Sequence, residues 1–133
     1  MAVAFTTQNV ITGISNPTSL QFGPDGRLYV SQQDGSIKVY NITEPTSGTW
    51  VASLADTIDL IKSIPNHNDD GSLNTTVTNR QVTGIVVTGT AANPVLYVTS
   101  SDPRISSDTD SNLDTNSGIL SQLGTEPAGP RWI

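Results

Sequence analysis

The sequence predicts an all-β fold made of blade-like antiparallel meanders. Three observations carry that prediction. Apolar and polar residues alternate over short runs, glycine-bearing turns separate the runs, and the pattern returns once further along the chain.

The first meander is NPTSLQFGPDGRLYVSQQDGSIKVYNI, Asn16 to Ile42. Thr18 to Phe22 alternates around Leu20 and Phe22, Leu28 to Ser31 forms a second run, and Ser36 to Tyr40 places Ile37 and Val39 on one face. Gly23-Pro24-Asp25-Gly26 and Asp34-Gly35 join these runs, and an Asp-Gly pair favours the positive φ values of a type I′ hairpin. Such a meander is one blade of a β-propeller, and a blade does not stand alone.

The second copy begins at Val82-Thr83-Gly84-Ile85-Val86-Val87, which matches Thr18 to Phe22. Leu96-Tyr97-Val98-Thr99 repeats Leu28-Tyr29-Val30-Ser31 at a spacing of 68 residues (28 to 96), and Ser117 to Ser121 parallels Gly35 to Val39. A WD-type blade takes ~40–45 residues, so the connecting loops here are enlarged. Thr49 to Ile61 reads as the outermost strand of blade one, with a short helical turn around Asp56 to Lys62 as the competing reading. Residues 1–133 thus form a single domain: an orphan outer strand at 1–15 (Ala4 to Ile14), blade one at 16–62, a loop at 63–80, an incomplete blade two at 81–123 and an irregular tail at 124–133.

This is a count of eight strands, about two four-stranded blades per chain. If Ala4 to Ile14 closes blade two of a neighbouring copy, three chains make a six-bladed ring. The expected partner is therefore the chain itself, as a homotrimer by strand exchange that leaves no open sheet edge.

Composition narrows the function classes. The chain has 133 residues, of which 35% are hydrophobic and 14% charged; Thr, Ser, Asn and Gly fill much of the rest, as in extracellular or surface β-proteins. A formal charge of −6 with six scattered basic residues argues against a nucleic-acid partner. No apolar run approaches the ~18 residues of a membrane helix, so no membrane partner is expected. With no cysteine there is no disulfide framework, thiolate zinc site or cysteine nucleophile. The N-terminal MAVAFTTQNV carries no signal-peptide pattern, which leaves localisation open. Asn41-Ile42-Thr43 and Asn74-Thr75-Thr76 fit the glycosylation sequon, a match that a Thr-rich chain also produces by chance.

Three segments, NPTSLQFGPDGRLYVSQQDGSIKVY, IPNHNDDGS and NRQVTGIVVTGTAANPVLYVTSSDPRI, resemble bacterial sugar dehydrogenases of the glucose/sorbosone type. The resemblance runs from about Val10 to Leu120 and covers part of that family's length. It implies a six-bladed propeller, an extracytoplasmic parent family and, in many members, dependence on pyrroloquinoline quinone. In quinone-dependent members a catalytic histidine stands three residues before the glycine that opens the blade strand. That glycine corresponds to Gly84, and the position is Gln81, a side chain with no proton equilibrium near neutral pH. After Leu120 the family's outer strand is replaced by LGTEPAGPRWI. DNA encoding that tail can, in another frame, encode LGNGTSWTKVD, which reads as the missing strand. The expectation is a truncated or frameshifted gene fragment.

Candidate sites are few. Asp108, Asp110, Asn112 and Asp114 place oxygen ligands at alternate residues, as calcium would need, so calcium is a possible cofactor. The EF-hand glycine position is Leu113 and the bidentate glutamate position is Ile119, so a solvated polar loop is the favoured reading of the run. Asp102, in Ser-Ser-Asp-Pro-Arg, stands near the end of an inner strand where propellers bind ligands, and an Asp-Pro turn accounts for it as well. His67 lies beside Asp69 and Asp70, but one histidine makes a poor transition-metal set, and a self-bonded loop competes with that reading. Trp50 and Trp132 read as packing or tail residues rather than a sugar platform.

The leading expectation is a self-assembling, non-catalytic propeller fragment, with carbohydrate or another small molecule as a possible ligand and no required cofactor. Two alternatives stand beside it: a quinone-dependent sugar oxidoreductase, which would take the quinone, and a surface interaction or adhesion module.

Overall fold

The computed structural model describes residues 5–68, 70–104, 117–125 and 132. Among them are seven strands in two antiparallel sheets. Sheet one has the order β1 (Pro17–Phe22), β2 (Leu28–Gln32), β3 (Ile37–Thr46), β4 (Thr49–Ile58). Sheet two has the order β5 (Gln81–Gly89), β6 (Pro94–Ser101), β7 (Ile119–Leu123). Both are plain meanders, each strand pairing with the next in sequence, as the alternating runs and tight turns require. One 3₁₀ turn (Leu60–Ser63) follows β4, so the strand and helical readings of this region each hold for part of it.

The orphan strand expected at Ala4 to Ile14 is one that would pair with a neighbouring copy; within the single chain residues 5–16 form no strand. A strand needs a run of partner backbone, and this segment touches sheet one at separate points: the Asn16 carbonyl accepts from Gln33 N–H at 3.0 Å, the Ser15 carbonyl accepts from Gln32 Nε2 at 3.0 Å, and Gln8 lies against Trp50. The Gln8 side-chain amide brackets the backbone of Trp50, donating to the carbonyl at 2.7 Å and accepting from the N–H at 3.0 Å.

The Asp-Gly turns are not the expected type I′. Only the glycines have positive φ, 76° at Gly26 and 88° at Gly35, and Asn16 is the sole described non-glycine residue with positive φ. Gly35 N–H bonds the Gln32 carbonyl and Gln32 N–H bonds the Ser36 carbonyl. Gly26 and Gly23 make the same pair of bonds with Gly23 and Arg27. This is the three-residue hairpin, a type I turn closed by one left-handed glycine. The aspartate holds it by accepting from the N–H two residues on, Arg27 at 3.2 Å and Ser36 at 3.0 Å. Asn68, Gly71 and Ser72 make the same pair of backbone bonds a third time, with Gly71 at φ 82° and Asp70 accepting from Ser72 N–H at 2.9 Å.

The sheets pack face to face, with the first strands β1 and β5 adjacent. From sheet one come Tyr29, Ile37, Val39 and Ile58; from sheet two come Val82, Ile85, Val87, Leu96, Val98 and Leu123. Ile61 of the 3₁₀ turn closes one side of this core. Gln21 bridges the two first strands, accepting from Val87 N–H at 2.9 Å and donating to the Val87 carbonyl at 3.3 Å. At ~25 cal/mol per Å² of apolar surface, this shared layer is the main stabilising term of the fold.

Candidate functional site

The polar side chains gather at one end of the two sheets. There β2 ends, β5 begins, β6 ends and β7 begins, because antiparallel register sets Gln81 opposite Ser101 and Pro17 opposite Gln32. Loops enter this end from Ile64 to Asn79 and from Asp102 onward, so the long connections converge where the strands stop.

Arg80 is the centre of the cluster. Its guanidinium is buried, donating to Ser100 Oγ at 2.9 Å, to Asn66 Oδ1 at 2.9 Å, to the Ser100 carbonyl at 3.3 Å and to the Ser117 carbonyl. Asn66, buried as well, passes the network on by donating to the carbonyls of Val77 and Asn79 at 3.0 and 2.7 Å. A buried guanidinium is tolerable only with its donors satisfied, and here the acceptors come from three separate stretches of chain. The Gly35 turn rests on the same point: a Cβ there would collide with the Arg80 carbonyl oxygen.

Asp102 and His67, far apart in sequence, are brought together by Arg104. Arg104 donates to Asp102 Oδ2 from Nε at 2.8 Å and Nη2 at 2.5 Å, and its N–H bonds Asp102 Oδ1 at 2.8 Å. The same guanidinium reaches the His67 carbonyl at 3.0 Å and Asn68 Oδ1 at 3.3 Å. Burial pushes the Asp102 carboxyl up, but the Arg104 hydrogen bonds, with the charges of Arg104 and Arg80, outweigh it and leave it below the usual carboxylate range. Asp102 is thus a paired anion holding a loop. His67 takes part through its backbone, forming a one-residue bridge with Leu73 around the Asn68–Ser72 turn, while its ring is exposed.

Gln81 is half-buried. It donates to Ser101 Oγ at 3.0 Å and accepts from Gln33 Nε2 at 3.2 Å. A carboxamide bonded in this way fixes the register of β5 and β6, and it cannot take a proton as a histidine would. Asp108, Asp110, Asn112 and Asp114 lie outside the described residues, as does Asp69. Among the described residues no three of His, Cys, Asp and Glu come together as a metal set.

A shallow cavity of about 490 Å³ opens beside the end of β4, between Asp56, Asp59, Leu60, Ser63 and Trp132. Trp132 is partly buried, edge-on to Tyr29 with ring centroids 6.1 Å apart, and its indole N–H donates to Asp56 Oδ2 at 3.2 Å. The tail tryptophan is packed against the core. Trp50, on β4, is exposed.

The signals that sequence reading passed over are Arg80 and Arg104. Arg80 sits immediately before β5 in Asn79-Arg80-Gln81, and nothing local marks it as buried. Comparison with known protein families, curated proteins and solved structures finds no match.

Proposed function

We propose that this chain is a non-catalytic β-propeller module whose role is assembly with further copies of itself. The observation that carries the reading is the stacking of two sequence-related meanders with their first strands side by side, Gln21 of β1 bonded to the Val87 backbone of β5. Successive blades of a propeller stand in this relation around an axis, and two blades bury only one face each. The resemblance to six-bladed sugar dehydrogenases sets the number of copies at three.

The polar end supports a structural role in preference to catalysis. Arg80, Asp102 and Gln81 are engaged in hydrogen bonds within the chain, and the residue at the family's base position is a carboxamide. A carbohydrate or other small ligand would meet this end of the assembled ring. Light scattering tests the reading: the expected mass is three times the 14.0 kDa chain. A monodisperse monomer at high concentration would refute it. Dye reduction in the presence of glucose, added pyrroloquinoline quinone and calcium would replace it with the oxidoreductase reading.

A further inference from the structure

The two meanders correspond residue by residue through their cross-strand pairs, which turns the observed sheet–sheet contact into a template for their outer faces. Leu28-Tyr29-Val30-Ser31 corresponds to Leu96-Tyr97-Val98-Thr99. Cross-strand pairing extends the correspondence. Val30 pairs with Leu20 and Val98 with Ile85, so Leu20 matches Ile85; by the same step Phe22 matches Val87, Gln21 matches Val86 and Ile37 matches Leu120, one residue beyond the Ile119 that the sequence parallel sets against it.

The matched residues have opposite fates. On the face of sheet one turned toward sheet two, Tyr29 and Ile37 are 0% exposed; their counterparts Tyr97 and Leu120 are 38% and 67% exposed on the outer face of sheet two. On the face of sheet two turned toward sheet one, Ile85 and Val87 are 8% and 5% exposed; their counterparts Leu20 and Phe22 are 66% and 57% exposed on the outer face of sheet one. Each outer face is thus the equivalent of the inner face of the other sheet; that of sheet one is open at Leu20 and Phe22, while Val30 opposite Leu20 is 2% exposed. Leu54 extends one open apolar patch and Val86 the other. Six large apolar side chains left in water on two sheet faces are a surface awaiting a partner.

We propose that the outer face of sheet two, Val86, Tyr97 and Leu120, docks on the outer face of sheet one, Leu20, Phe22 and Leu54, of a second copy of this chain. The contact repeats the internal one and rests on the assembly reading above, adding to it the surface and its polarity. Because the two faces differ, the contact is heterologous: it runs head to tail and propagates until the ring closes. Gln21 has the apolar Val86 as its counterpart, so the amide–backbone bridge to Val87 inside the chain is replaced between chains by apolar contact with Phe22. The strand-exchange segment is not required for this docking.

A complementation experiment tests it. One variant carries Leu20→Asp and Phe22→Asp; the other carries Tyr97→Asp and Leu120→Asp. These positions are exposed within the chain, and far-ultraviolet dichroism checks that both variants keep their sheets. Wild type is expected to assemble, each variant alone to be monomeric, and their equal mixture to form a complex of two chains that grows no further. As an independent check in a chain without native cysteine, Phe22→Cys and Val86→Cys proteins should cross-link to each other as dimers, and neither should cross-link to itself. Assembly of wild type that persists in both variants would overturn this docking and leave the self-assembly reading standing. A mixture that stays monomeric, or Phe22→Cys pairing with itself, would overturn the head-to-tail polarity. A monomeric wild type would overturn assembly itself, and the docking with it.

Discussion

Tyr29 and Tyr97 stand at the same place in two copies of one meander, yet Tyr29 is buried and Tyr97 faces solvent. The local sequence is nearly the same, LYVS against LYVT, so the difference comes from what stands opposite. The sheets also differ in how they are held. Sheet one joins β1, β2 and β3 with the short hairpin turns that close on their own aspartates. Sheet two has long connections at its polar end, and Arg80 ties the start of β5 to β6, to the Asn66 loop and to the approach to β7. One sheet is organised locally and the other through a buried long-range node.

The strongest test of that contrast is Arg80→Ala. It leaves Asn66 and the carbonyls of Ser100 and Ser117 without their donor in a buried place, and a loss of about 3–5 kcal/mol is expected from urea unfolding. A loss below about 1 kcal/mol would show that sheet two does not depend on the node. Next in size is a matched pair, measured in dilute, monomeric protein. Tyr29→Ala should cost about 3 kcal/mol through the cavity it opens, and Tyr97→Ala under about 1 kcal/mol. Equal costs would mean the two faces are equally covered within one chain.

Within sheet one, Gly35→Ala should cost about 1–3 kcal/mol, because positive φ is combined with collision against the Arg80 carbonyl. Gly26→Ala, with the same φ sign and open space around it, should cost about 1 kcal/mol. Reversal of that order, read from thermal midpoints, would detach the Asp34 turn from the node.

The smallest expected effect is pH-dependent. Asp102 and Asp34 both lie below the usual carboxylate range when folded. For Asp34 burial acts upward, and the Ser36 hydroxyl and amide bonds and Lys62 outweigh it. A folded value lower than the unfolded one, about 3.9, means their contribution is whole above that pH and lost as pH falls through the folded value. Asp102→Asn should therefore flatten the acid limb of the stability profile more than Asp34→Asn, since Asp34 is exposed and screened. The opposite order in urea midpoints from about pH 5 down to about pH 2.5 would contradict the pairing of Asp102 with Arg104.

The strands were legible because their signals are local. Leu20/Phe22 and Ile37/Val39 alternate with period two, and Asp-Gly marks where the chain reverses. The turn type was misread: Asp-Gly is compatible with two hairpin geometries, and the loop length between paired strands chooses between them. The N-terminal run Phe5 to Ile14 has its apolar residues at 5, 10, 11 and 14, without the period-two alternation of the other strands. At the polar end, Asp102 was visible as a residue at the end of an inner strand, but its link to the His67 loop was not. Arg104 makes that link across 37 residues, beyond the reach of any local pattern.

By itself, then, the sequence determined which segments are strands, their order as two meanders and the residues that share a face, since backbone alternation and turn chemistry act over a few positions. The tertiary structure decided which face of each sheet is buried, that Arg80 is interior and that Gln81 serves β5–β6 register. Those outcomes depend on what lies across from each residue. Burial is a property of a pair of surfaces, and one meander carries only half of the pair.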